Sequence, residues 1–476
     1  MKINIRQVIS VFAFQCYLVL AVYSQAAEIP RVECGPADRS GISLVLYNND
    51  LAFISETRSF SRREGAFELE FAGVGRTILP ASVSVRSGGG LEVVEQHYDY
   101  DVLSRRSLLE SYIGRQIALE RLDKRTQTLE RLSGRLLSLE GGVIVQFDDG
   151  VAIDPEGTLI LPAVPAGLVL EPKLSWLVNS PSGGSGSLEV SYVARGFGWE
   201  CDYLLELETG GRAGLSAWVT VHNNSGADYQ GAKLVLVAGD VHSTTPAQPL
   251  PRGIQMETSM LAAKADIGGM EVQKSFEYYR YDLGRPVDLN RNQLKQVELF
   301  GRKEIKLEKI YRLEGGQNLY FRTPQTDERP RPVAVLLEWE NAGANSPGLP
   351  LPAGTVRVYD RSSRPGLFLG EDRIGHTPQA EKVTVRAGAA FDVLGRRRQV
   401  DYQRLSDRLQ RTTLEVELTN RSAQAVTVQM DEALPGDWKI TDSTHRFEKL
   451  DANRARFSPQ VPAGGKAVVR FTVEYI

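Results

Sequence analysis

Trp218-Val219-Thr220-Val221-His222-Asn223, followed by Asn224-Ser225-Gly226, sets the grammar of this chain. Successive side chains of a strand point to opposite faces, so a period-two run closed by turn formers reads as a half-buried strand entering a corner. Leu337-Glu338-Trp339-Glu340-Asn341 and Val416-Glu417-Leu418-Thr419-Asn420 repeat the pattern. Each run ends on Asn, and small residues and another strand follow. Asn suits such a corner because its side chain bonds nearby backbone and it tolerates left-handed dihedrals. The repetition predicts an all-β chain of tandem β-sandwich modules, immunoglobulin-like in kind, the last over residues 401–476.

Outward from these corners the alternation continues. Leu44-Val45-Leu46-Tyr47 and Leu51-Ala52-Phe53-Ile54 flank Asn48-Asn49-Asp50 as a hairpin, and Phe67-Glu68-Leu69-Glu70-Phe71 alternates strictly. These runs predict an N-terminal β domain over 41–103. Residues 104–170 differ. Leu108, Leu109, Tyr112 and Ile113 sit at helical spacing until Gly114, and candidate strands follow at Arg115–Leu122, Gly134–Leu139, Val143–Phe147 and Thr158–Leu161. A short helix before closely spaced strands predicts a small SH3- or Sm-like barrel inserted in the chain. The rival is one amphipathic helix from Ser107 to Leu139, in which Gly114 and Gly134 would each cost about 1 kcal/mol relative to Ala. The barrel is the preferred reading. A β-rich unit over 171–400 comes next, broken near 241–275 by an aperiodic excursion rich in Thr, Pro, Gly, Ala and Met. That stretch reads as a long loop.

Residues 1–26 read as a cleaved secretory signal: Lys2 and Arg6, an apolar run from Val8 to Val22, then Ser24-Gln25-Ala26. The run is short of the roughly 20 apolar residues that cross a bilayer. The expected location is therefore the periplasm, the outer envelope or the medium, with no integral membrane segment after cleavage. A formal net charge of −3 on a surface of mixed sign lacks the basic footprint that nucleic acid requires. Of three cysteines, Cys16 falls in the signal. Cys34 and Cys201 remain in an oxidising compartment, where a disulfide between them is expected; the alternative is two separately buried thiols.

The segments Ser191–Tyr203, Trp218–Gly226 and Leu234–Asp240 carry a likeness to a known family, as do Leu349–Tyr359, Gly370-Glu371-Asp372 with His376-Thr377-Pro378, and Gly388–Val393. Together they resemble a bacterial exported family with a C-terminal β-rich domain of unknown function, which includes the mucoidy inhibitor A homologues. The resemblance implies a β-rich envelope or secreted protein and supplies no catalytic residues. Many members carry a long coiled coil between their two domains, whereas 104–165 here lacks sustained heptads.

Candidate chemistry is sparse. His97, His222, His242, His376 and His445 form no paired-imidazole metal spacing, and no nucleophile elbow is present. Asp148-Asp149-Gly150 with Asp154 and Glu156 reads as a hairpin turn rather than a calcium loop. Asp240-Val241-His242 reads as a solvated strand end, and Arg396-Arg397-Arg398 as a solvated loop. Tyr278, Tyr279 and Tyr281 with Arg280 could stack on a sugar or a partner chain, but read first as cross-sheet packing. Glu371, Asp372 and His376 are the best polar constellation, two carboxylates and an imidazole within one expected loop. The sequence predicts a non-enzymatic envelope protein that presents β surfaces to a protein or glycan partner, with no cofactor and no metal. The alternative is a carboxylate-based hydrolase or polysaccharide-modifying enzyme whose paired acids are distant in sequence.

Overall fold

The computed structural model describes residues 29–99, 102–122, 127–165, 168–239, 271–275, 278–320, 329–343, 347–362 and 366–476. The expected signal (1–26), Asp240, His242 and most of the 241–275 excursion lie outside them. The fold is all-β, 66% strand and 5% helix. Among the described residues no helix is long and apolar enough to cross a membrane.

A seven-stranded sheet runs Glu271–Ser275, Tyr278–Leu289, Tyr229–Ala238, Arg39–Tyr47, Leu51–Arg62, Gly184–Ala194 and Ser84–Ser87 in spatial order. The hairpin around Asn48-Asn49-Asp50 therefore sits at its centre. Leu51–Arg62 pairs along its length with Gly184–Ala194, from Ala52 opposite Ala194 to Arg62 opposite Gly184. Arg39–Tyr47 runs parallel to Tyr229–Ala238, with Leu44 opposite Leu234 and Leu46 opposite Leu236. Two further sheets complete this body. One orders Gln293–Lys306, Arg212–Asn223, Phe197–Leu207, Gly354–Asp360 and Leu367–Ile374; the other orders Arg31–Cys34, Gly65–Ala72, Lys173–Ser180 and Glu92–Asp99. Their inward faces share one core containing Phe71, Trp176, Tyr192, Trp199 and Tyr203. Buried residues of 41–99 thus share their core with strands that follow residues 104–165 in sequence. Alternation shows that a strand buries one face; it does not name the neighbour.

A second core, with Leu414, Val416, Val428, Met430, Phe457 and Phe471, lies in the C-terminal half. Its ten-stranded sheet curls into a half-barrel. The edge strands Trp438–Ser443 and Phe447–Lys449 approach one another, with the Trp438 and Phe447 rings 6.5 Å apart. Leu313, Leu319, Tyr320 and Val333 belong to this core as well. The strand Lys382–Arg404 runs through 400/401 and pairs with Arg331–Glu340 and then with Gln410–Asn420. Continuous pairing through one long strand leaves no linker there to detect.

Residues 104–165 form a unit with its own small core of Leu109, Tyr112, Ile117, Leu136 and Val145. Ser104 caps the helix Arg105–Ser111 by accepting from Ser107 N. Strands follow at Gln116–Leu122, Leu129–Ser138, Ile144–Phe147, Gly150–Ile153 and Thr158–Ile160, and the last returns beside the first. The long-helix rival is excluded. Gly134, a blemish in that helix, has a packing reason in the sheet: a Cβ there would sit 2.7 Å from Val145 Cγ1 and 2.8 Å from the Phe147 ring.

The Asn corners are alike in structure. Asn223, Asn341 and Asn420 are each fully buried. Asn420 Nδ2 donates to the carbonyls of Gln424 (2.7 Å), Val461 (3.3 Å) and Pro462 (3.1 Å), while its Oδ1 accepts from Ser422 N and Oγ. Asn223 donates to Ala227 O and Leu289 O and accepts from Ser225 N and Oγ. Asn341 donates to Leu349 O and Pro378 O. Each corner side chain stitches its own turn to a segment distant in sequence.

Candidate functional site

Glu371 and Asp372 lie within the strand Leu367–Ile374, not in a loop, and neighbours in a strand face opposite ways. Glu371 pairs with Arg357 at 3.3 Å. Asp372 Oδ2 accepts from Arg386 N at 2.7 Å, tying this edge strand to Lys382–Arg404. His376 Nδ1 accepts from Ala353 N at 3.0 Å. Each of the three has a structural partner of its own, and they do not converge. Among the described residues no group of three His, Cys, Asp or Glu side chains is placed to hold a metal.

Cys34 and Cys201 are both free and buried in the structure. Burial pushes the Cys34 thiol up to about 11 and the Cys201 thiol up to about 12, which removes the thiolate a nucleophile needs. Arg396, Arg397 and Arg398 are not a solvated loop. They lie in a strand and pair with Glu417, Glu432 and Glu415 in turn. Tyr281 is buried against Trp199, its hydroxyl donating to Pro350 O, as the packing reading of that tyrosine run requires. Burial lowers the pKa of His222, whose Nε2 is enclosed without a partner.

The feature that sequence reasoning missed is apolar. A groove of about 400 Å³ opens between the two cores, lined among others by Leu207, Tyr311, Leu337, Leu369 and Phe391. Phe391 is 92% exposed, and Leu367 and Phe368 at the same end are more than half exposed. The pairing explains the geometry. Ala334 lies opposite Ala389 and Pro332 opposite Leu394, so Ala390 to Val393 bulge past the single residue Val333. Phe391 is carried outward on that bulge. The neighbouring strand makes room with Gly370 at φ +156°, where a Cβ would stand 2.6 Å from Ala387 O. A second bulge between Val358 and Tyr359 turns Phe368 onto the Tyr359 ring, 5.4 Å away. Gly388-Ala389-Ala390 ahead of Phe391 was the available signal: small residues in a strand accompany a bulge or a close approach.

Fold and site together describe an all-β protein with two large cores, one small core and an exposed apolar groove between the large ones. The chain belongs to the family defined by the domain of unknown function DUF4139, whose model matches residues 188–474. The match takes in the groove, nearly all of the second core and only part of the first. No curated protein matches the chain.

Proposed function

We propose that this chain is an exported, non-enzymatic binding protein of the bacterial envelope, and that the groove beside Phe391 receives a protein partner. The carrying observation is Phe391 itself, 92% exposed on a bulge between two paired strand segments. Covering a phenylalanine side chain is worth roughly 1.5–3 kcal/mol, and a fixed backbone leaves little ordering to be done on contact. Leu367, Phe368 and Leu369 extend the apolar surface. An aliphatic and phenyl surface suits apolar side chains better than a glycan, whose hydroxyls need several convergent polar groups. The positive-start, apolar-run, small-residue pattern of residues 1–26 supports export. The segments quoted above support a place among the mucoidy inhibitor A-like homologues. The helix-first strand order of the insertion, with first and last strands adjacent, supports an SH3/Sm-like barrel, and the strand-to-Asn corners support an immunoglobulin-like ancestry for the modules.

A photocrosslinking residue placed at 391 tests the reading in cells of the native host. The expected result is one discrete crosslinked species in the envelope fraction, from a chain that has lost residues 1–26. The same residue at Leu294, also exposed but on another edge, serves as the control. Identical patterns from both positions, or recovery of the intact precursor in the cytosol, would overturn it. Phe391→Ser should abolish the crosslink from a second probe at 368 while changing folding stability by no more than about 0.5 kcal/mol.

A further inference from the structure

A cavity of about 370 Å³ lies where the N-terminal strands, the roots of the inserted unit and the Asn223 corner meet. Arg39, Arg76, Asp228 and Arg291 are among the residues that line it. The Arg39 side chain is only 8% exposed. Its Nε donates to Glu56 Oε2 at 2.8 Å, but its Nη2 is buried without any partner. Glu56 has little left to give. The same Oε2 accepts from Arg58 Nε and Nη2, and Oε1 accepts from the Tyr192 hydroxyl at 2.6 Å. Arg58 is fully buried as well, and it directs its remaining nitrogen to Cys34 O and Ala72 O. Two enclosed guanidinium groups therefore face one carboxylate, which leaves one positive charge uncompensated. Proteins keep such a charge where an anion can answer it.

A second lining arginine repeats the sign. Arg76 is exposed and has no side-chain partner among the described residues. Its backbone N–H donates to Ser225 O at 2.8 Å, which anchors it to the Asn223 corner. Gly226, at φ +87°, leaves it room, since a Cβ there would be 2.8 Å from Arg76 Nε. Asp228 is already engaged by Arg291 N (2.7 Å) and Nη2 (3.1 Å). Glu171, the other lining carboxylate, is exposed at the rim. We propose that this cavity binds a small oxyanion, a carboxylate or a phosphate, between the side chains of Arg39 and Arg76, both of which line it. Arginine suits the task because its charge is permanent and its planar fork matches such oxygens. The volume falls within the range of small-ligand sites. The proposal is independent of the groove at Phe391.

Calorimetric titration of the full mature chain at constant chloride decides it, with inorganic phosphate, glucuronate and glucose as probes. The expected result is saturable binding of phosphate or glucuronate and none of glucose. Phosphate alone assigns a phosphate site; glucuronate, with or without phosphate, assigns one that admits carboxylates. Arg76→Ala should weaken the binding by at least about tenfold while melting as the parent does without anion. Arg39→Gln, which also strips a partner from Glu56, should abolish it. Absence of saturable binding for both anions would overturn the proposal. So would binding that survives Arg76→Ala and a folded Arg39→Gln.

Discussion

At the residue scale the most informative side chains are the corner asparagines. Asn420 sends its amide to three carbonyls from two segments while fully buried. Removing the donor strands those carbonyls, at about 1–3 kcal/mol for a buried group left unmade. Asn420→Ala should therefore cost on the order of 2–4 kcal/mol in urea unfolding. Asn420→Asp should cost at least as much at pH 8, because a carboxylate offers no donor and faces carbonyl oxygens. That environment raises the folded-state pKa of the new acid, so the native state binds the extra proton first. The sign follows: its deficit should shrink as pH falls from 8 towards 5, whereas that of the Ala variant should not. A loss under about 0.5 kcal/mol, or matching pH profiles, would show that the corner does not depend on this donor. These residues were legible in the sequence because three strands end the same way. Phe391 was not. Its exposure comes from a mismatch with another strand, and no single run records the register of its partner.

At the element scale the inserted unit is a closed loop on the main body. Its ends are held side by side by Leu103 N donating to Val169 O at 2.8 Å and by a bridge between Val102 and Val169. It also has a core of its own. Replacing 105–165 with a short Gly/Ser linker should therefore leave both large cores intact, since the added loop-closure entropy is small when the ends already meet. Near-ultraviolet circular dichroism should retain the tryptophan signature. The melting temperature of the main body should fall by no more than about 2–4 °C, the shift that roughly 1 kcal/mol produces in a domain of 150 residues or more. Loss of cooperative melting would show that the insertion braces the sheets it hangs from. The helix, its stop and the following strands were readable because Gly114, Gly141-Gly142 and Asp148-Asp149-Gly150 punctuate them. The strand Leu129–Ser138 began earlier than expected. Leu129 and Leu132, three apart, fit helical spacing, whereas the strand sends them to opposite faces and leaves Leu129 74% exposed.

At the scale of the whole molecule, the unit that folds is larger than the unit that the family model matches. Residues 188–474 contain the half-barrel core except Tyr475, but the seven-stranded sheet lacks its middle without Arg39–Tyr47 and Leu51–Arg62. Between Tyr229–Ala238 on one side and Gly184–Ala194 on the other, their absence opens two unpaired edges. It also uncovers Leu234, Leu236, Val190 and Tyr192, all buried in the intact protein. Exposed apolar edges are templates for aggregation. Pairs distant in sequence are also the contacts that folding reaches last. A fragment 188–476 should therefore fold only in part. In a two-dimensional amide spectrum, dispersed signals should come from the half-barrel, residues near Val416, Met430 and Phe471, while those near Tyr192 and Leu236 collapse or broaden. Adding residues 29–99 and the closing strand Lys173–Ser180, joined through the insertion, should restore them. Full dispersion from the fragment alone would mean that the N-terminal hairpin only decorates a sheet able to close without it. The sequence showed alternating runs on both sides of the insertion but could not show that they interleave, because strand pairing across more than a hundred residues leaves no local trace.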